Sequence, residues 1–252
     1  MKQLVIYLLI YMFIGNLIAQ DNDKSSTSIF PAAASVLDSL EKNYNRIEDY
    51  YVRIEISIKT PILRMPRKRV DFWFKKPNLI KVETKGFAAI PKSGLISSPI
   101  DIFDNLSNIS VIGAEYYNDK QVWILQGELI PDSLIFQNMN QAEDSNKLTM
   151  KMWVDINNWT LIKSETLMDT IKVMEISSIY KSIRNDIYLP KETVIKFEYS
   201  GGLPSGVEKT IGAKHQFDSS QKDLKGKDLS GIMTLKFSDY KVNKGIDDAF
   251  FE

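Results

Sequence analysis

The sequence predicts a mainly β (α+β) chain, built on one strongly curved antiparallel sheet of about ten to eleven strands with a leading helix and short helical covers on its apolar face. Three observations carry that reading. Between Tyr51 and Lys59, Val52, Ile54, Ile56 and Ile58 alternate with Arg53, Glu55, Ser57 and Lys59, the period of two of a half-buried strand. The stretch Lys147 to Met168 alternates in the same way, breaks at Asp155, Asn157 and Asn158, and resumes after Trp159 as a hairpin. Apolar residues spaced three and four apart occur early, at Val36, Leu37, Leu40, Tyr44 and Ile47, so Pro31 to Ile47 is expected to be an amphipathic helix lying on the sheet.

The other elements follow in order. Val70, Phe72 and Phe74 alternate with Asp71, Trp73 and Lys75; Pro77 and Asn78 end that strand, and Leu79 to Lys85 begins the next. The basic cluster Arg64, Arg67, Lys68 and Arg69 reads as a solvated hairpin end, with an electrostatic docking site for an acidic partner as the alternative. Residues 86–109 and 131–146 lack alternation yet are apolar, which suits short helices or flaps packed over the sheet. Ile109 to Tyr117 and Gln121 to Ile130 form a hairpin across Asn118, Asp119 and Lys120. Within the Lys147 hairpin, Leu148, Met150, Met152 and Val154 share one face, with Thr149, Lys151, Trp153 and Asp155 on the other. Strands Ile171 to Ser182, Lys191 to Tyr199 and Ile232 to Val242 complete the sheet, and the Gly-rich 201–231 is a long excursion before the last of them.

Composition bounds the function. The chain has 252 residues, 44% hydrophobic and 25% charged, which is enough for one sizeable core, and the length suits one large all-β domain as well as two small ones. Thirty-two basic and thirty-two acidic residues cancel, so no bulk field favours nucleic acid, and a monomer without nucleic-acid partners is expected. Residues 1–19 read as a secretory signal: Lys2, an uncharged run from Leu4 to Phe13, then Gly15 and Ala19. Residues 20–30 read as a flexible polar leader. There is no cysteine, hence no disulfide, no thiol nucleophile and no cysteine after the signal to take a lipid anchor. A soluble exported protein is expected.

Catalytic constellations are missing. His215 is the sole histidine, and no nucleophile elbow accompanies it; the GLPSG run at Gly202 to Gly206 does not fit one. One histidine and no cysteine leave little for zinc, there is no phosphate-cradling GxGxxG, and the Asp155 turn lacks the later residues of an EF-hand. No enzyme activity, no metal and no cofactor are expected.

Several pieces in this order resemble a known family: the leading helix, VDFWFKKPNLIKVE (Val70 to Glu83), WVDINNWTLIKSE (Trp153 to Glu165) and YLPKE (Tyr188 to Glu192) look like the LolA-like lipoprotein carriers. The aromatic-basic-basic-Pro-Asn-Leu run Phe74 to Leu79 is its most specific part. The resemblance implies a single domain over 31–252, an incomplete, unclosed β-barrel with lid helices over an apolar cavity for acyl chains. It further implies a periplasmic carrier that collects acylated lipoproteins from an inner-membrane ABC-type release complex and passes them to an outer-membrane acceptor. A periplasmic lipid- or lipoprotein-sensing regulatory protein of the same fold is the alternative. At the position of Lys76 the best-studied carriers have an arginine that bonds to the lid; lysine gives a point charge rather than a fork as the lid latch. The deformable apolar wall expected to bind lipid comprises Val52, Ile54, Ile56, Ile58, Val70, Phe72, Phe74, Met150, Met152 and Met174. Cavity wall and plain core use the same residue types, so both readings of these side chains stay open.

Overall fold

Alternation of this kind builds strands that pair with their sequence neighbours, and the computed structural model shows ten of them among its described residues, which are 30–60, 66–84, 102–130, 147–184, 187–199 and 229–251. The signal and leader, most of the two apolar insertions, and the Gly-rich excursion with His215 lie outside that set. Helix α1 (Ala33–Tyr44) is followed by β1 (Asp49–Lys59), β2 (Lys68–Lys75), β3 (Leu79–Thr84), β4 (Leu106–Tyr117) and β5 (Lys120–Leu129). Then come β6 (Leu148–Asp155), β7 (Thr160–Met168), β8 (Ile171–Arg184), β9 (Ile187–Tyr199), β10 (Leu229–Val242) and a terminal 3-10 turn, Asp248–Phe251.

All ten strands form one sheet in the order β3-β2-β1-β10-β9-β8-β7-β6-β5-β4. Every pairing is antiparallel. The chain starts in the middle of the sheet, runs to one edge at β3, crosses to the opposite edge at β4 and meanders back until β10 pairs with β1. β3 and β4 do not pair, so the barrel is left open between them. Curvature follows from what α1 touches. Tyr44 meets Phe74 of β2 with ring centroids 6.4 Å apart, while Val36 and Leu40 pack with Leu106 of β4. β2 and β4 are eight strand spacings apart, about 38 Å if the sheet were flat. A twelve-residue helix is only about 18 Å long. The sheet must wrap around the helix for both contacts to be made.

Two buried clusters line the wrapped face. In the first, Val36 and Leu40 of α1 pack on Leu125, Leu129, Met150, Met152, Val154 and Leu161, with Phe103 and Leu106 beside them. In the second, Tyr50, Val52 and Ile54 of β1 face Phe72 and Phe74 of β2, joined by Ile47, Leu189, Ile195, Leu235 and Val242. Met174 packs against both.

Several boundaries differ from those the sequence suggests, each for a local reason. The helix ends at Tyr44, where Asn45 closes its last turn; Ile47 lies beyond the helix yet is buried as the lead into β1. Lys120 is the first residue of β5 and not part of the turn, because Asn118 and Asp119 both take positive φ, as a two-residue hairpin turn requires. β9 begins at Ile187 rather than Lys191: a bulge opposite Ile179 and Tyr180 lets Pro190 sit in the strand without donating to the ladder. The second face of β6 is also not a solvent face at its end. Trp153 is buried against Val122 and Ile162 and donates to Glu115 at 2.6 Å, while Asp155 accepts from Lys120 at 2.5 Å and from the amides of Asn157 and Asn158.

Candidate functional site: a cavity under the end of the helix

Where α1 ends, the two clusters part and leave a cavity of about 150 Å³ between Leu40, Asn43 and Tyr44 of the helix and the sheet beneath. Its floor is formed by β7, β8 and β9, with Leu161, Ser164, Ile176, Ser178, Tyr180, Leu189 and Ile195, and its sides by Tyr50 and Val52 of β1 and Phe237 and Tyr240 of β10. Sites for drug-sized ligands span roughly 300–1,000 Å³, so a ligand of that size would enter only if the helix moved.

Asn43 and Lys76 hold that end of the helix. Asn43 Nδ2 donates to the carbonyls of Asn158 and Trp159, at 3.0 and 3.2 Å, tying α1 to the β6–β7 turn. On the other side, Lys76 Nζ donates to the carbonyl of Asn45 at 2.8 Å and lies 3.5 Å from Glu48. A cation at the last carbonyls of a helix satisfies acceptors that have no partner within it and complements the helix dipole. The contact Lys76 makes is thus with the end of α1.

The β6–β7 turn itself is unusual. Left-handed backbone falls on Trp159 (φ 47°), not on the asparagines before it, and an indole-bearing residue adopts that conformation only when its surroundings impose it. Its ring lies at the cavity wall and packs against the first cluster, and its carbonyl is one of those Asn43 takes.

Among the described residues Lys163 is the one charged residue lining the cavity, and its ammonium is engaged by Glu165 at 2.9 Å and by the Trp153 ring at 4.3 Å. Burial pushes the hydroxyls of Tyr50, Tyr180 and Tyr240 well above the usual tyrosine range, so all three stay neutral. Two of these donate to backbone: Tyr180 to Leu161 at 3.0 Å and Tyr240 to Pro190 at 2.9 Å. Ser178 and Thr193 bond each other at 2.9 Å. Among the described residues no group of three or more His, Cys, Asp and Glu could hold a metal ion, and no helix is long and apolar enough to cross a membrane.

Of the residues expected to bind lipid, Val52 lines this cavity and Met174 lines a second, more open depression of about 560 Å³ between the ends of β1, β8, β9 and β10. Ile54, Ile56, Phe72 and Phe74 are packed in the second cluster, and Met150 and Met152 in the first, directly under Val36 and Leu40. Val70 is buried opposite Ile54, and Ile58 is half-buried opposite Met233. The tyrosines and the Ser/Thr side chains of the cavity floor escaped the sequence reading. In β8, Ile176, Ser178 and Tyr180 do share the two-residue period, but mixed polarity hides it from a search for aliphatic runs.

No family model matches the chain, and no curated protein matches it. Solved structures do. A DUF1329 family protein from Desulfovibrio piger is 12% identical over 87% of this chain and 96% of that one, with a TM-score of 0.52. A LolA superfamily protein from Nitrosomonas europaea is 12% identical over 88% of this chain and 98% of that one, with a TM-score of 0.50. With its unclosed ten-stranded sheet wrapped around one helix, the chain has the LolA-like fold that its sequence motifs imply.

Proposed function

We propose that this protein is an exported, non-enzymatic carrier that shelters the acyl chains of lipoproteins between α1 and the wrapped sheet and moves them through the periplasm from inner to outer membrane. The observation that carries the reading is the cavity, its one lining charge Lys163 paired with Glu165, beneath a helix end held by Asn43 and Lys76. A lipid tail in water must be covered, since each buried methylene is worth about 0.8 kcal/mol. Lifting α1 would strip Val36 and Leu40 from Met150, Met152 and Leu125 and merge the cavity with both clusters. That larger trough would be walled by Val52, Ile54, Ile56, Phe72, Phe74 and Met174, with Ile58 and Val70 continuing the same face. Lys76 acts as a latch on the closed position. Release from an ABC-type complex and delivery to an outer-membrane acceptor complete the proposed route.

The test is mass spectrometry of the protein purified without detergent from a periplasmic fraction, together with uptake of a fluorescent acyl probe. Replacing Ile54 or Phe72 by a charged residue would unfold the core, so the informative variant is Ile187→Glu at the half-buried rim of the cavity, with Ile171→Glu, exposed on the sheet, as control. Bound acylated lipoprotein that is lost in Ile187→Glu and kept in Ile171→Glu is the expected result. A protein that comes out empty and takes up no acyl probe refutes the carrier and leaves the regulatory binding protein.

A further inference from the structure

The open sheet has two free edges, β3 and β4, and only one of them is defended. β3 is six residues long, carries Lys81 and Glu83, and has the terminal turn fastened to it, Lys81 Nζ donating to the Phe250 carbonyl at 2.6 Å. Short, charged and covered edges resist pairing with another chain. β4 has twelve residues, and its sequence LSNISVIGAEYY contains no lysine, arginine or proline. Its one charge, Glu115, accepts from the Trp153 indole at 2.6 Å. Register shifts between Ser107 and Ser110 and between Val111 and Gly113 break up the first half of β4, whereas Gly113 to Tyr117 pairs with β5 without interruption.

Along that run the edge offers backbone groups. Tyr117 and Lys120 close the two-residue turn as a hydrogen-bonded pair, so the alternation of an antiparallel ladder turns the N–H and C=O of Ala114 and Tyr116 away from β5. Both residues are exposed, and among the described residues no other element bonds to their backbone. A second copy of the chain fits this edge badly. The symmetric antiparallel register that engages both residues of each strand sets the two Glu115 carboxylates directly opposite each other, where like charges repel. An extended peptide of another sequence meets no such conflict. The strand also borders the proposed acyl site: Leu106, Ile109 and Val111 of β4 pack in the first cluster with Val36 and Leu40 of α1, and Trp123, paired with Ala114, packs there too.

We propose that the Gly113 to Tyr117 edge of β4 takes the first residues of the cargo, the extended peptide that follows its acylated end, as an added strand. Backbone bonding of this kind reads no side chain, which suits a carrier that accepts cargoes of different sequence. This rests on the carrier reading and adds a peptide subsite beside its acyl site.

The experiment compares three ligands on the intact protein by displacement of a fluorescent acyl probe. They are decanoyl methylamide, a decanoyl-Ser-Thr-Val-Thr-Ser amide, and the same conjugate N-methylated on every peptide nitrogen. Added backbone bonds should make the conjugate bind about tenfold more tightly than the methylamide, and N-methylation should remove that gain. Ala114→Pro deletes an outward N–H that β5 does not use; it should also remove the gain while methylamide binding is unchanged, and Ala114→Val, which keeps the N–H, should retain it. Hydrogen exchange of the Ala114 and Tyr116 amides should slow when the conjugate binds and stay fast with the methylamide. A conjugate no tighter than the methylamide, or one whose gain survives N-methylation or a folded Ala114→Pro, overturns the proposal. Amides of Ala114 and Tyr116 already protected in a concentration-dependent dimer overturn it in favour of a second copy. If neither the probe nor the methylamide binds, the carrier reading itself fails and this inference with it.

Discussion

Replacing Asn43 by alanine should turn the helix from a closed cover into a loosely held one. The side-chain amide makes two part-buried hydrogen bonds, at 3.0 Å to the Asn158 carbonyl and 3.2 Å to the Trp159 carbonyl. A net value of about 0.5–1.5 kcal/mol each would give about 1–3 kcal/mol. Both bonds come from one amide, and the freed carbonyls regain water once the helix lifts, so about 1–2 kcal/mol is the better figure. If opening is the lifting of α1, that loss raises the open population about tenfold, since 1.4 kcal/mol is a factor of ten. Thermal unfolding should drop by about 3–6 °C, at roughly 2–4 °C per kcal/mol for a chain of this size. The assay is stopped-flow uptake of a fluorescent acyl probe. Asn45→Ala is the control, because that amide bonds only Glu41 on the same helix, at an exposed 3.3 Å. Uptake about tenfold faster in Asn43→Ala and unchanged in Asn45→Ala is expected. An Asn43→Ala protein that loses stability yet takes up probe at the wild-type rate would refute gating by this helix.

Three further outcomes follow from the packing and the charges. Phe72→Ala empties a site that is 1% exposed, next to Tyr50 at a centroid distance of 5.8 Å, and should cost about 3–5 kcal/mol, seen as a lower urea midpoint with an unchanged slope. Hydrogen bonds from Lys172 at 2.6 Å and Lys196 at 3.0 Å hold Glu175 down to about 2 from its ordinary 4.5. Its folded value lies below its unfolded one, so the stabilisation is complete above about pH 4.5 and is lost as pH falls towards 2. Both lysines are half in solvent, which limits the effect: Glu175→Gln should cost about 1–2 kcal/mol in urea unfolding at pH 7, a difference that shrinks on acidification below 4.5. Gly231→Ala would place a Cβ 2.5 Å from the Phe197 ring and 2.7 Å from the Thr60 methyl, so the ring must shift, and a loss of about 1–3 kcal/mol in thermal or urea unfolding is expected.

The strands were legible because each declares itself over a few residues. Val52, Ile54 and Ile56, or Phe72 and Phe74, alternate in sequence and lie buried on one face in the fold, and the Asn118-Asp119 pair marks its own hairpin. The cavity was not legible in the same way. It is made where β1, β7, β8, β9, β10 and the end of α1 converge, and its tyrosines, Thr160 and Trp159 belong to segments far apart in the chain. Buried tyrosine hydroxyls reach particular carbonyls there, and nothing in local spacing says which ones. Met150 and Met152 show the limit from the other side: their pattern places them on the inner face, but only the position of Val36 and Leu40 decides that they are covered by the helix instead of lining open space.

By itself the sequence determined the β-rich class, the inward residues of most strands, the amphipathic leading helix and the order of motifs that points to a LolA-like chain, because each depends on periodicity and turn chemistry within about ten residues. Tertiary structure decided that β10 closes onto β1 while β3 and β4 stay apart, that α1 spans the wrapped sheet, and that tyrosines from β1, β8 and β10 meet in a cavity under the end of the helix. Those features arise from pairings and burial between residues distant in the chain, from Tyr44 with Phe74 to Tyr50 with Val242, and burial is a property of the whole fold that no local pattern carries.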